Sequence, residues 1–248
     1  MNIKKIVKKY ILKAKPEPIV GKLNEKTRVE WLEKVLKKIP SGNSILDAGA
    51  GEQQFKKWCA HLKYVSQDFA QYKPEGLNSG LQMAKWDYGK LDIISDIASI
   101  PVENESFDTI MCTEVFEHII NPVEAITEFS RILKKDGYLI ITAPFCSLTH
   151  FAPYHFYSGF NKFFYETELE KNGFDIMELI PNGNYFEYLA QELNRLTFIA
   201  KQYSGVQLNK KEDRNIAQMK LMLQNLSNKD SNSSELLCFG YHVLARKK

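Results

Sequence analysis

No run in the 248 residues approaches the roughly 20 consecutive apolar side chains that cross a bilayer as a helix, so membrane-spanning functions are excluded. The start has no small-residue cleavage site behind an apolar region, and a secretory leader is not expected. Cysteine is sparse. Cys59, Cys112, Cys146 and Cys238 show no CxxC spacing, which removes zinc-ribbon and dithiol redox chemistry, and neighbours such as Ile110 and Met111 mark them as buried thiols of a reducing, cytoplasmic setting. An excess of one charge is also missing, with 33 Lys and Arg against 30 Asp and Glu and a net +3. That balance predicts no nucleic-acid partner. No internal repeat is present.

With 44% hydrophobic side chains, the chain can bury one full core. Ile3, Ile6, Val7, Tyr10 and Ile11 fall on one helical face, and Lys4, Lys5, Lys8, Lys9 and Lys13 fill the other. The first reading of this basic amphipathic stretch, residues 1–15, is a helix packed on the domain; the second is a peripheral anchor at the inner membrane surface. Pro16 and Pro18 break it, and helical spacing returns over 25–38. Short apolar runs then alternate with helical patterns. Strands are expected near 44–48, 63–67, 92–95, 107–112 and 137–143, with helices near 52–61 and 121–134. The alternation implies an α/β fold with a mostly parallel sheet and helices on both faces. Beyond 145 come an aromatic-rich loop, a helix from 166 to 172, a strand from 174 to 180, helical patterns over 185–202 and 212–226, a polar loop over 226–234, and a closing strand over 236–245. The boundaries follow: N-terminal helices over 1–40, then a domain over 41–248 with an aromatic lid at 145–165 and a helical insertion at about 183–234.

Ligands of such sheets sit at the carboxyl ends of strands. Asp47, Asp68, Asp96, the Thr113-Glu114 pair and Pro144 stand there. In Ile45-Leu46-Asp47-Ala48-Gly49-Ala50-Gly51, the glycines let backbone approach a ligand, the aspartate can face an ammonium, and the turn amides with the following helix N-terminus can face a carboxylate. Asp68 closes the next strand, where it can accept both hydroxyls of a ribose. Asp96 closes the third, where it can accept from an adenine amino group while the Ile97 amide donates to a ring nitrogen.

The series from Ile45 to Gly51, then Asp68, Asp96, Phe107 to His118 and Leu133 to Ile141, resembles class I S-adenosylmethionine-dependent methyltransferases. The likeness covers residues 44 to 144. Lys85-Trp86-Asp87-Tyr88 and the run from Ala143 to His150 further resemble a bacterial small-molecule group associated with polysaccharide and cell-envelope biosynthesis. The resemblance implies a Rossmann-like, doubly wound sheet of seven strands in an α/β/α sandwich, mostly parallel with an antiparallel last strand. It implies S-adenosyl-L-methionine as cofactor and S-adenosyl-L-homocysteine as product. Asp47, Ala48, Gly49 and Gly51 would hold the methionine end, Asp68 the ribose, Asp96 with Ile97 the adenine, and Thr113 and Glu114 would complete the site. Two departures stand out: Gln53 replaces a third glycine, and residues 71 to 91 form an insert, here assigned to a loop bordering the site.

A hydroxyl acceptor needs a base. Glu114 and His118, four residues apart, share a face if a helical turn follows the fourth strand. His150 and His155 lie in the lid among Phe145, Phe151, Tyr154, Phe156 and Tyr157, whose rings can wall an acceptor. His118, His150 and His155 are the candidate catalytic residues, each with an alternative role in packing. No metal is expected, because His150 and His155 lack a matching carboxylate cluster. The function expected is methyl transfer to a small-molecule hydroxyl, on a sugar or envelope precursor. Alternatives are an amine acceptor and a catalytically silent cofactor-binding domain. The glycine pattern disfavours a dinucleotide dehydrogenase, and Thr113-Glu114-Val115-Phe116 lacks the run used by amino-directed nucleic-acid enzymes.

Overall fold

The chain is described by a computed structural model covering residues 17–248 other than Asn78. The basic amphipathic stretch over 1–15 lies outside the described residues. Seven strands form one sheet in the order β3-β2-β1-β4-β5-β7-β6. Their bounds are β1 Ser44–Ala48, β2 Lys63–Asp68, β3 Ile93–Ile94, β4 Phe107–Thr113, β5 Leu133–Pro144, β6 Phe174–Asn182 and β7 Gly240–Lys247. The first five pair in parallel, and β7 runs antiparallel between β5 and β6. This is the doubly wound sheet expected.

Alternation along the central strands divides the core between two faces, as the two-residue period of a strand dictates. Leu46, Ile110, Cys112, Leu139 and Ile141 point to one side, where they meet Ile126, Phe129 and Ile132 of helix α2 (Pro122–Ile132) and Tyr165 and Leu169 of α3 (Lys162–Lys171). Ile45, Met111 and Ile140 point to the other, against Trp31, Leu32, Val35 and Leu36 of α1 (Asn24–Leu36). Pro122 opens α2, where a missing N–H costs nothing. The Asn161 side chain accepts from Phe163 and Phe164 N–H to cap α3, so that helix begins earlier than the spacing predicts. Helices α4 (Tyr185–Ser204) and α5 (Lys210–Ser227) pack on each other and clamp Val20 between Ala190 and Leu223. No helix among the described residues is long and apolar enough to cross a membrane.

One expected element is absent. No α-helix follows β1 over 52–61; the segment holds turns and one 3-10 turn, Lys56–Trp58. Gln53 adopts a φ of 57°, outside the helical region, and its side-chain amide donates to the carbonyls of Tyr88 and Lys90, both at 2.9 Å. This tertiary tie overrides the local pattern and anchors the 71–91 insert to the turn.

Phe129 is fully buried and stacks on Phe116 with centroids 6.4 Å apart. Phe129→Ala should lower unfolding free energy by about 3–5 kcal/mol through lost transfer and a residual cavity. Urea unfolding measures it, and a loss under about 1 kcal/mol would contradict this packing.

Candidate functional site

The turn after β1 is held by β2. Gly49 and Ala50 N–H groups both donate to the Gln67 carbonyl at 2.9 Å, and Gly51 N–H donates to Asp68 Oδ2 at 2.9 Å. Asp68 Oδ1 accepts from Ala70 N–H at 3.0 Å. The expectation that these turn amides and a helix N-terminus face a ligand carboxylate is therefore corrected: β2 already takes the amides, and the α-helix is missing. Both glycines are left-handed, with φ of 74° at Gly49 and 50° at Gly51. A Cβ at Gly51 would lie 2.8 Å from Trp86 Cζ2, and one at Gly49 would lie 2.5 Å from Val115 Cγ2. Side chains of the insert and of β4's exit thus fit where only glycine leaves room.

Asp47 is sealed at 1% exposure, and its Oδ2 accepts from Tyr64 Oη at 2.6 Å. Burial pushes its pKa up to about 7 against the opposing Tyr64 hydrogen bond, with the Asp68 charge adding to the rise. Burial also raises Asp68, while its backbone amide donors hold it down. Ala48 lies in the core, and Ile97 buries its side chain there too. Asp96 is exposed beyond β3, and its Oδ1 accepts from Ala98 N–H at 2.9 Å. The three aspartates close β1, β2 and β3, adjacent strands of the sheet.

Thr113 ends β4 opposite Thr142. Glu114, at φ 54°, pairs with Arg28 of α1 at 2.9 Å and accepts from Thr142 Oγ1 at 2.9 Å. The next turn is 3-10, Phe116–His118, so the proposed sharing of a face by Glu114 and His118 does not arise. Glu117 takes that place. It is 1% exposed, and its Oε1 lies 3.7 Å from His118 Nε2 and 3.8 Å from His150 Nε2. Its Oε2 is buried without a partner. Burial and the nearby Glu114 charge push its carboxyl well above the usual range.

The three candidate histidines do come together. Ring centroids are 4.6 Å apart for His118 and His150, 4.9 Å for His150 and His155, and 6.0 Å for His118 and His155. Burial lowers all three, His118 to about 3; the His150 charge adds to the fall at His118 and His155, and the Arg195 charge adds to it at His150. All are neutral at physiological pH. His118 is too weak a base to serve alone, since proton transfer is best near the working pH. His155 Nε2 faces Ser147 Oγ at 3.1 Å.

Phe151 links the histidines to the glycine turn. Its ring lies 5.1 Å from His118, 5.0 Å from Trp86 and 4.4 Å from Tyr72. Insert and lid also pair through backbone: Leu81 N–H donates to the Thr149 carbonyl at 2.9 Å, and Phe151 N–H donates to that of Leu81 at 3.1 Å. Trp86 Nε1 is a buried donor without a partner beside Gly51. The sequence reading had not singled out Glu117 or Trp86 as site residues.

Residues 46–141 match the family model described as a methyltransferase domain. An uncharacterized methyltransferase of Anoxybacillus flavithermus is 31% identical over 103 residues, 40% of this chain and 46% of the relative; the chain thus spans under half the length of the curated relative it matches. A SAM-dependent methyltransferase from Archaeoglobus fulgidus shares the fold at a TM-score of 0.53 and 18% identity, covering 90% of this chain and 94% of that one. Phosphoethanolamine N-methyltransferase 2 of Haemonchus contortus, solved with S-adenosyl-L-methionine, gives 0.51 at 17% identity over 90% of this chain and 52% of its own. Over the matched segment the chain is similar to a methyltransferase domain, and the solved structures share its fold.

Asp47 retains a proton in the folded state between its ordinary 3.8 and about 7, a window in which the unfolded chain has lost it. Wild-type stability should therefore fall as pH rises through this window, by a few kcal/mol relative to Asp47→Asn. Urea unfolding of both proteins across the window checks this, and parallel pH profiles would refute it.

Proposed function

We propose that this chain is an active S-adenosylmethionine-dependent methyltransferase that methylates a hydroxyl of a small molecule, a sugar or cell-envelope precursor, in a cytoplasmic setting. The observation that carries the acceptor reading is the group of neutral imidazoles, His118, His150 and His155, gathered beneath an aromatic lid at the end of β4. Neutral imidazoles can take a proton, which hydroxyl methylation requires and a free amine does not. Aromatic walls suit the apolar faces of a sugar ring, and they favour a nearby cation.

Fit to the cofactor rests on features of this chain. Asp68 has further lone pairs for ribose hydroxyls beyond its two amide donors. Asp47 offers a carboxylate that an ammonium would draw back into its charged form. Asp96 stands exposed at the rim for an adenine amino group, and Trp86 Nε1 is an unpaired donor beside the turn. When bound, the cofactor supplies an electrophilic methyl on a sulfonium. The chain's own work is alignment, exclusion of water by the Phe151, Trp86 and Tyr72 rings, and acceptance of the proton by His155. The imidazole would hold the acceptor hydroxyl and take its proton as the bound cofactor supplied the methyl group.

Calorimetry with S-adenosylhomocysteine should show binding to wild type, weakened about 10- to 100-fold in Asp68→Ala through loss of charge-assisted hydrogen bonds. Methyl incorporation should then favour hydroxylated sugars over amines. Absence of binding by wild type defeats the cofactor reading, and exclusive transfer to amines defeats the acceptor reading.

A further inference from the structure

Two segments distant in sequence deliver three metal-competent groups to one point. Glu117 Oε1 and the Nε2 atoms of His118 and His150 lie within 4.8 Å of one another. The loops that carry them are pinned together, since Phe156 and Tyr157 N–H groups donate to the Glu117 carbonyl at 2.8 and 3.3 Å. Each imidazole is also oriented from behind. His118 Nδ1 is 2.6 Å from the Tyr154 carbonyl and His150 Nδ1 is 2.8 Å from that of Leu148. A carbonyl only accepts, so each Nδ1 carries the proton and each Nε2 presents its lone pair toward Glu117. Backbone carbonyls behind imidazoles are the arrangement that sets up metal-binding histidines.

We propose that Glu117, His118 and His150 form a binding site for a divalent transition-metal cation of the zinc or ferrous-iron class. Two imidazoles and one carboxylate match the donor preference of those ions, whereas magnesium and calcium favour oxygen alone. Bonds of about 2.1 Å in a tetrahedral site place donors about 3.4 Å apart, so the observed 3.7 and 3.8 Å separations need to close by only a few tenths of an ångström. The partnerless, buried Glu117 Oε2 is the second mark of a missing ligand. Arg28, the cation that acts on Glu117, is already paired with Glu114. Exposure rises from 1% at the Glu117 side chain to 16% at His118 and 25% at His150, which leaves one side open for a fourth ligand. His155 stands outside the set, turned to Ser147.

This proposal departs from the expectation of no metal, which rested on the lid histidines lacking a carboxylate; Glu117 stands beside His150. The site itself does not depend on methyl transfer. Its role does, since a cation there would orient an acceptor hydroxyl and ease its deprotonation.

Chelator-treated full-length protein titrated with zinc ions in a calorimeter should take up one ion per chain. Glu117→Gln and His150→Ala should each weaken uptake at least about tenfold, while His61→Ala, remote from the cluster, should not. Cobalt(II) titration gives a second readout that needs no variant, a visible absorption band of low-symmetry nitrogen and oxygen ligation. Lack of stoichiometric zinc uptake, undiminished uptake in both cluster variants, or absence of the cobalt band overturns the proposal. S-adenosylhomocysteine titrated in parallel separates the two readings: zinc failure with that binding intact removes only the metal site, and the converse removes only the methyltransferase reading.

Discussion

The bonds from the glycine-turn amides to the end of β2 set the geometry on which the site depends. Gln67 and Asp68 accept three consecutive N–H groups, from Gly49, Ala50 and Gly51, which ties the exit of β1 to its neighbour. Because β2 satisfies these donors, the segment after the turn needs no helix, and Gln53 is free to take a left-handed conformation and bond to the 71–91 insert. The insert in turn brings Trp86 against Gly51 and joins the lid through Leu81. A single pairing at the carboxyl ends of β1 and β2 thus propagates to the aromatic cover.

That chain of dependence explains what the sequence could reveal. The strands β1 and β4 and the second half of β5 were legible because they are largely apolar runs buried on both faces, and α1 and α2 because their spacing matches one buried face. Residues 52–61 were misread for a physical reason. Phe55 and Cys59 are buried four residues apart, as in a helix, but the spacing of two buried residues cannot register a side-chain tie to carbonyls 35 and 37 positions away. Likewise β5 begins at Leu133, directly after α2, because Leu133 pairs with Phe107 of β4 ahead of a register irregularity, while the polar Lys134, Lys135 and Asp136 that follow stand exposed or half-exposed.

The site divides along the same line. Asp47, Asp68 and Asp96 follow strands and are visible wherever strands are. Glu117 was passed over because the four-residue rule that pairs Glu114 with His118 holds only on an α-helix. In the 3-10 turn that forms, the preceding glutamate goes inward and Glu114 turns to Arg28. His118, His150 and His155 were each named, but their assembly depends on the lid folding back over β4, a long-range contact without a local signature.

Burial of Glu117 carries a cost that decides how this region is to be understood. An unpaired buried polar group destabilises by about 1–3 kcal/mol, and Glu117 Oε2 and Trp86 Nε1 both lie in this condition. The surrounding core can offset that cost: Phe116, adjacent to Glu117, is fully buried and packs on Phe129, Phe160 and Phe164, and burial of one such ring contributes about 1.5–3 kcal/mol. Packing alone gives no reason for a carboxylate at this position, since an apolar side chain of similar volume would avoid the cost. The fold therefore holds charge-capable groups in a dry place against their own preference, and unpaired polarity of this kind gains its compensation when a ligand arrives.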